Sequence, residues 1–135
     1  MKKTVSVILV VVFLCLGSAS VLAENVPQAR YTGIMSFSCS VETNGVLVTT
    51  SATLTVWKGY TSKATAELQE KGRDGVWRTV ANYEESGSST TACVIGENHI
   101  GVPGRTYRAF CVFTAYNSNG TEVDHEERYT SLRTL

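Results

Sequence analysis

The run Pro103–Tyr129, P-G-R-T-Y-R-A-F-C-V-F-T-A-Y-N-S-N-G-T-E-V-D-H-E-E-R-Y, decides the fold class. Pro103-Gly104 is a type II turn signal, because proline presets φ and glycine is free to take a positive one. From Thr106 to Tyr116 the chain is rich in β-branched and aromatic residues, the composition of a strand. Asn119-Gly120 closes a hairpin. Two registers compete. A two-residue loop sets Ala115 opposite Asp124 and Phe113 opposite Glu126. A three-residue loop, Ser118-Asn119-Gly120, sets Ala115 opposite Val123, Phe113 opposite His125 and Ala109 opposite Tyr129. The second puts apolar beside apolar, and a slip of one residue reverses every side chain. The expectation is therefore the three-residue loop, with Gly120 left-handed in a bulge. One face then carries Tyr107, Ala109, Cys111, Phe113, Ala115, Val123 and Tyr129. The other carries Arg108, Glu122, Asp124, Glu126 and Arg128 with Phe110, Val112 and Tyr116, an unusually apolar set for a face left in water.

The same grammar extends upstream. Ile34–Thr43 and Val46–Trp57 read as strands joined by Asn44-Gly45. A two-residue turn there sets Val41 opposite Val48, Cys39 opposite Thr50, Phe37 opposite Ala52 and Met35 opposite Leu54. Thr49, Ser51, Thr53, Thr55 and Trp57 are left outside. Ala64, Ala66 and Leu68 alternate with Lys63, Thr65, Glu67 and Gln69, a half-buried strand. Gly72-Arg73-Asp74-Gly75 turns the chain and Val76–Glu84 returns. Its register stays open: either Trp77, Thr79 and Ala81, or Val80 and Arg78, share a face with Leu68. Glu85–Thr90 reads as a polar loop, Thr91–Ile95 as a short strand and Gly96–Gly104 as a loop. About seven strands with regular turn signals and no amphipathic helix predict an all-β fold, an antiparallel two-sheet sandwich.

Residues 1–23 read as a signal peptide. Lys2 and Lys3 make the positive end, and Val5–Leu16 is an apolar run too short for a membrane span of about 20 residues. Val21 and Ala23 are small residues where a signal peptidase reads, so cleavage is placed after Ala23. Leu14 is too large for lipoprotein processing at Cys15, which leaves with the peptide. Residues 24–32 form a flexible lead-in, 33–131 the sandwich and 132–135 a tail. Removing 23 of 135 residues leaves 112, enough for one domain with its own core. The cut takes two of the 12 basic residues and none of the 12 acidic ones, leaving a net charge of −2. That balance offers nothing to nucleic acid or to an anionic membrane. With no second apolar run and no sorting motif, the expected product is secreted, extracellular and without a stable membrane anchor, in the style of a bacterial export. Three cysteines remain, Cys39, Cys93 and Cys111. An oxidising exterior favours a disulfide among them, and three pairings are open.

Val102–Gly120 resembles the end of a fibronectin type III-like domain, an immunoglobulin-like β-sandwich: a P-G-x-x-Y turn, an alternating strand, then a Y-N-S-N-G turn. The resemblance implies that Tyr107 pins the turn before the sixth strand through its hydroxyl. Ala52–Tyr60, A-T-L-T-V-W-K-G-Y, resembles the second strand of that family, although Trp57 is out of phase with Leu54 and Val56. Glu67–Val80, E-L-Q-E-K-G-R-D-G-V-W-R-T-V, with the following G-R-T-Y-R strand, looks like a group of uncharacterised small exported proteins of Gram-positive gut bacteria. The resemblance covers Ala52–Ser131 and implies a fold but no catalytic residues.

No catalytic, cofactor or metal site is expected. His125 lies in D-H-E-E, but no G-x-S-x-G nucleophile turn occurs. There is no C-x-x-C or H-x-x-x-H, His99 and His125 are far apart, and Asp124, Glu126 and Glu127 alternate faces rather than lining a calcium loop. The leading expectation is a binding or interaction module, with Phe110, Val112 and Tyr116 forming an apolar patch for a protein, a surface or a second copy of the chain. The alternative is a carbohydrate-binding module stacking sugars on Trp57, Tyr60, Trp77, Tyr83 and Tyr116. A secreted enzyme, toxin or inhibitor is the third reading.

Overall fold

Bends, most of them marked by glycine, divide residues 30–135, the part of the chain that this computed structural model describes, into eight strands and no helix. They are β1 (Ile34–Asn44), β2 (Leu47–Val56), β3 (Thr61–Lys71), β4 (Trp77–Ser88), β5 (Cys93–Ile100), β6 (Thr106–Tyr116), β7 (Glu122–Tyr129) and β8 (Arg133–Thr134). One antiparallel sheet has the order β1-β2-β5; the other has β4-β3-β6-β7, with β8 also paired to β6. The expected signal peptide and the part of the expected lead-in up to residue 29 lie outside the described residues. Arg133–Thr134, expected as a tail, pairs with Thr106 and Tyr107. Two stretches expected as loops are strand: β4 continues to Ser88 and β5 to Ile100.

The core lies between the sheets. Val48, Thr50, Ala52, Leu54 and Val56 of β2 face Ala64, Ala66 and Leu68 of β3 and Tyr107, Ala109, Cys111, Phe113 and Ala115 of β6. Period-two alternation produces this directly, since every second residue of each strand is buried. Within the larger sheet, bulk alternates across the pairs: Ala64 lies opposite Phe113 and Leu68 opposite Ala109. Small against large keeps the layer filled without overlap. Each fully buried side chain the size of Phe113 or Leu54 contributes roughly 1.5–3 kcal/mol.

Register departs from expectation in three places. Between β1 and β2 the loop is Gly45-Val46 rather than Asn44-Gly45, so Val41 lies opposite Thr50, Cys39 opposite Ala52 and Phe37 opposite Leu54. Gly45 has φ 60° and its loop neighbour Val46 does not have a positive one, the pattern of a II′ turn, which needs a left-handed residue only at its first central position. A slide of two preserves the faces. At the far end a bulge turns Met35 outward, 48% exposed, and Ile34 takes the inward place opposite Val56. Between β3 and β4 a bulge at Val80 splits the two options left open: Ala81 faces inward with Leu68, while Trp77 and Thr79 lie with Lys71 and Gln69 on the outside.

The third departure matters most. The β6–β7 loop is Ser118-Asn119-Gly120, with Gly120 at φ 79°, Asn117 N–H bonded to Thr121 O at 2.9 Å and Tyr116 opposite Glu122. Val123 is then a bulge, and from Ala115 onward the pairing moves by one: Ala115–Asp124, Phe113–Glu126, Cys111–Arg128 and Phe110–Tyr129. The loop is the expected one, but the strand beyond it is flipped. Asp124, Glu126 and Arg128 share the inner face, and Tyr129 and His125 the outer. The lead-in explains why charge is tolerated inside. The Asp124 carboxylate accepts from the backbone N–H groups of Thr32 (3.0 Å), Gly33 (2.5 Å) and Ile34 (2.8 Å), and Glu126 accepts from the Tyr31 hydroxyl at 2.7 Å. Inward charge on an edge strand also makes that edge a poor template for a further strand.

Candidate functional site

The outer face of the β4-β3-β6-β7 sheet gathers the aromatic and cationic side chains. From β6, Arg108, Phe110, Val112 and Tyr116 project outward, each half-buried. The Arg108 guanidinium lies over the Trp77 ring, 4.1 Å from its centroid, and over the Tyr129 ring, 4.4 Å from its centroid. Tyr129 in turn packs on Phe110, with ring centroids 4.8 Å apart. A row Trp77–Arg108–Tyr129–Phe110 thus crosses the sheet from β4 to β7. Cation–π contact favours this stacking, most strongly on tryptophan. A polar relay holds the arginine in place: its Nε donates to Gln69 Oε1 at 2.8 Å, Gln69 Nε2 donates to Glu67 Oε1 at 3.3 Å, and Thr79 Oγ1 also bonds Glu67. Among the described residues, the terminal amino groups of Arg108 have no hydrogen-bond partner, so they are available to an acceptor from outside.

Charged side chains occupy the other end of this face, level with Thr114. Lys63 pairs with Glu84 at 3.3 Å. His125, expected beside Phe113 at the core edge, instead lies opposite Thr114 on the outer face. Its Nδ1 is 3.1 Å from Glu122 and its Nε2 3.0 Å from Glu127, and the hydrogen bond to Glu127 raises its pKa above the ordinary histidine value. The Val123 bulge causes this move.

The sequence-named aromatics do not converge. Trp77, Phe110, Val112 and Tyr116 share the larger sheet's outer face. Trp57 follows β2 in the other sheet, 51% exposed, in the turn where Tyr60 N–H bonds Trp57 O at 3.2 Å. Tyr60 packs against the core beside Gly33. Tyr83 lies opposite Ala66, faces inward and also packs on the core. Arg108 and Tyr129 were missed as members of the row. Arg108 stood two residues from Phe110, which was a usable signal; Tyr129 was assigned to the wrong face by the unbulged register. A second missed feature is an apolar end on the smaller sheet. Leu47 lies opposite Ile100, which is 74% exposed, with Val46 and Val102 also exposed. Its signal was the run Val46-Leu47-Val48, which breaks alternation, but its partner stretch read as a loop.

Tyr107, the second residue of β6, braces the turn that leads into that strand. Arg105 N–H bonds Val102 O at 3.1 Å and Gly104 has φ 83°, the geometry of a type II turn. Val102 N–H donates to the Tyr107 hydroxyl at 2.7 Å, which donates to Glu70 Oε2 at 2.7 Å. A cleft of ≈270 Å³ beside this corner is lined by Lys71, Arg73 and Arg105 with the Pro103-Gly104 turn. Glu70 pairs with Arg105 at 2.8 Å, so the basic character of the cleft rests on Lys71 and Arg73. His99 is on β5, in the other sheet from His125. Among the described residues no group of three or more His, Cys, Asp or Glu side chains is placed to hold a metal ion, and no helix is long and apolar enough to cross a membrane.

A scan against protein-family models and searches of curated proteins and of solved structures find no match to this chain.

Proposed function

We propose that the chain is an exported, non-catalytic binding module of fibronectin type III-like build that recognises a protein through the outer face of its larger sheet. The strand order supports the build. The fourth strand joins β3, β6 and β7, whereas an immunoglobulin constant domain places it with the first, second and fifth. The Tyr107 corner supports it too. Export rests on Lys2, Lys3, the apolar run and the small residues Val21 and Ala23.

The Trp77–Arg108–Tyr129–Phe110 row carries the binding reading. Tryptophan, tyrosine and arginine are the residues that dominate protein interfaces, and a stacked, hydrogen-bonded row loses little freedom on docking. The same stacking disfavours sugar recognition at Trp77, because Arg108 occupies a ring face that a pyranose would need. Trp57 remains the one exposed tryptophan for that alternative.

Capture of partners from culture supernatant or host extract by the mature protein, against Arg108→Ala and Trp77→Ala, tests this. A protein partner retained by the wild type and weakened at least tenfold by either change is expected. Equal capture by folded variants overturns the reading. A glycan-array hit abolished by Trp57→Ala would move the function to carbohydrate binding.

A further inference from the structure

We infer that Cys39 and Cys111 form a disulfide that joins the two sheets, and that Cys93 stays a free thiol. The geometry points to this pair alone. Cys39 lies opposite Ala52 and Cys111 opposite Ala66, both on inner faces. Phe37, two residues before Cys39, packs on Phe113, two residues after Cys111, with ring centroids 4.9 Å apart. β1 and β6 therefore face each other across the core in opposite senses, and Cys39 and Cys111 are the next pair along. Each thiol is the largest single influence on the other's ionisation, as neighbours across the core are.

Pairing Cys39 with Cys93 fails on position, and the Cys93 thiol is engaged elsewhere. β1 and β5 flank β2, so Cys39 and Cys93 are two strand spacings apart, roughly 9–10 Å, beyond the Cα separation that a disulfide spans. Cys93 is fully buried and its thiol donates to Glu85 O at 3.1 Å.

The pair is also arranged for exchange. The S–H of Cys111 holds the Cys39 thiol at about 7, against burial, with the Arg128 guanidinium adding to the effect. Contact with Cys39 and then burial push Cys111 up. Cys39 is half-exposed and Cys111 wholly buried. The oxidant is a disulfide, either a low-molecular-weight one or that of an oxidoreductase. The Cys39 thiolate attacks one of its sulfurs and expels the other as a thiolate, giving a mixed disulfide. That removes the negative neighbour that kept Cys111 protonated. Cys111 then loses its proton and attacks Cys39 Sγ, expelling the second thiolate. Two protein thiols become one disulfide, and the reagent disulfide becomes two thiols.

This pairing rests on the export reading only for its oxidant in the cell. The test uses the mature, folded protein, reduced, freed of reductant and exposed to excess oxidised glutathione. The expected product has lost two hydrogens, keeps one titratable thiol and yields a Cys39–Cys111 cross-linked peptide. Cys93→Ser should oxidise identically, and Cys111→Ser should stop at a glutathione adduct on Cys39. Oxidation should raise the melting temperature by roughly 10 °C, because a long loop is closed. Three thiols remaining after oxidation, or a bridge that contains Cys93, overturns the pairing. If the purified protein oxidises as expected but the chain isolated from culture is fully reduced, the pairing stands and the export reading falls.

Discussion

The Tyr107 hydroxyl accepts from Val102 N–H and donates to Glu70, with its ring wholly buried. Tyr107→Phe keeps the ring but leaves a backbone donor without its acceptor, at a cost of about 1–3 kcal/mol. Urea unfolding should record this as a lower midpoint with an unchanged slope. Asp124 does comparable work for the start of β1. Burial pushes its carboxyl up, but the N–H groups of Thr32, Ile34 and Gly33 together outweigh that and hold it below the ordinary value. A depressed folded pKa means that the stabilisation is complete above the unfolded value of about 3.9 and is lost as pH falls through the folded one. Asp124→Asn should therefore lower stability by about 1–3 kcal/mol at neutral pH, and the difference from wild type should shrink in acid. Parallel denaturant series at pH 7 and below pH 3 check the sign. The hydroxyl's hold on the turn is the one the resemblance of the P-G-x-x-Y stretch implied for Tyr107, whereas the role of Asp124 was not legible beforehand. The sequence places an aspartate on a strand but cannot show that a segment some ninety positions earlier turns its amides toward it.

At the scale of the element, β7 is the instructive strand. Its loop was readable because Asn119-Gly120 carries local turn chemistry, and Gly120 takes the expected positive φ. Gly120→Val puts a β-branched side chain in the left-handed region and should cost roughly 1–2 kcal/mol, read as a fall in melting temperature. The face assignment failed three residues later, at Val123. Matching apolar to apolar favoured a straight ladder, and one extra residue at Val123 reversed it. The bulge is accepted because the acidic residues it turns inward find amide and hydroxyl donors on the lead-in. β4 shows the same effect at Val80, where one inserted residue leaves Trp77 outside and Ala81 inside. That insertion is what brings Trp77 beside Arg108. The Trp77–Arg108–Tyr129–Phe110 row therefore depends on two bulges, while its individual residues, except Tyr129, were visible as outward or undecided.

Over the whole molecule, two layers are held together by contacts of different kinds. Val48, Leu54 and Phe113 fill the middle, Tyr107 locks one corner and Asp124 ties the start of β1 to the edge of the opposite sheet. Removing Arg108 or Trp77 should leave this frame intact, since both lie outside the core; circular dichroism of the variants is expected to match the wild type while partner capture falls. The amino-acid order alone determined the all-β class, most strand positions and the buried faces of β2, β3 and β6, because period-two alternation and glycine-marked turns act within a few residues. Tertiary structure decided the registers of β1, β4 and β7, the position of His125 and the cysteines that meet. Those depend on groups supplied by other strands, and a single bulge residue accepted by such a neighbour exchanges the inside of a strand for its outside.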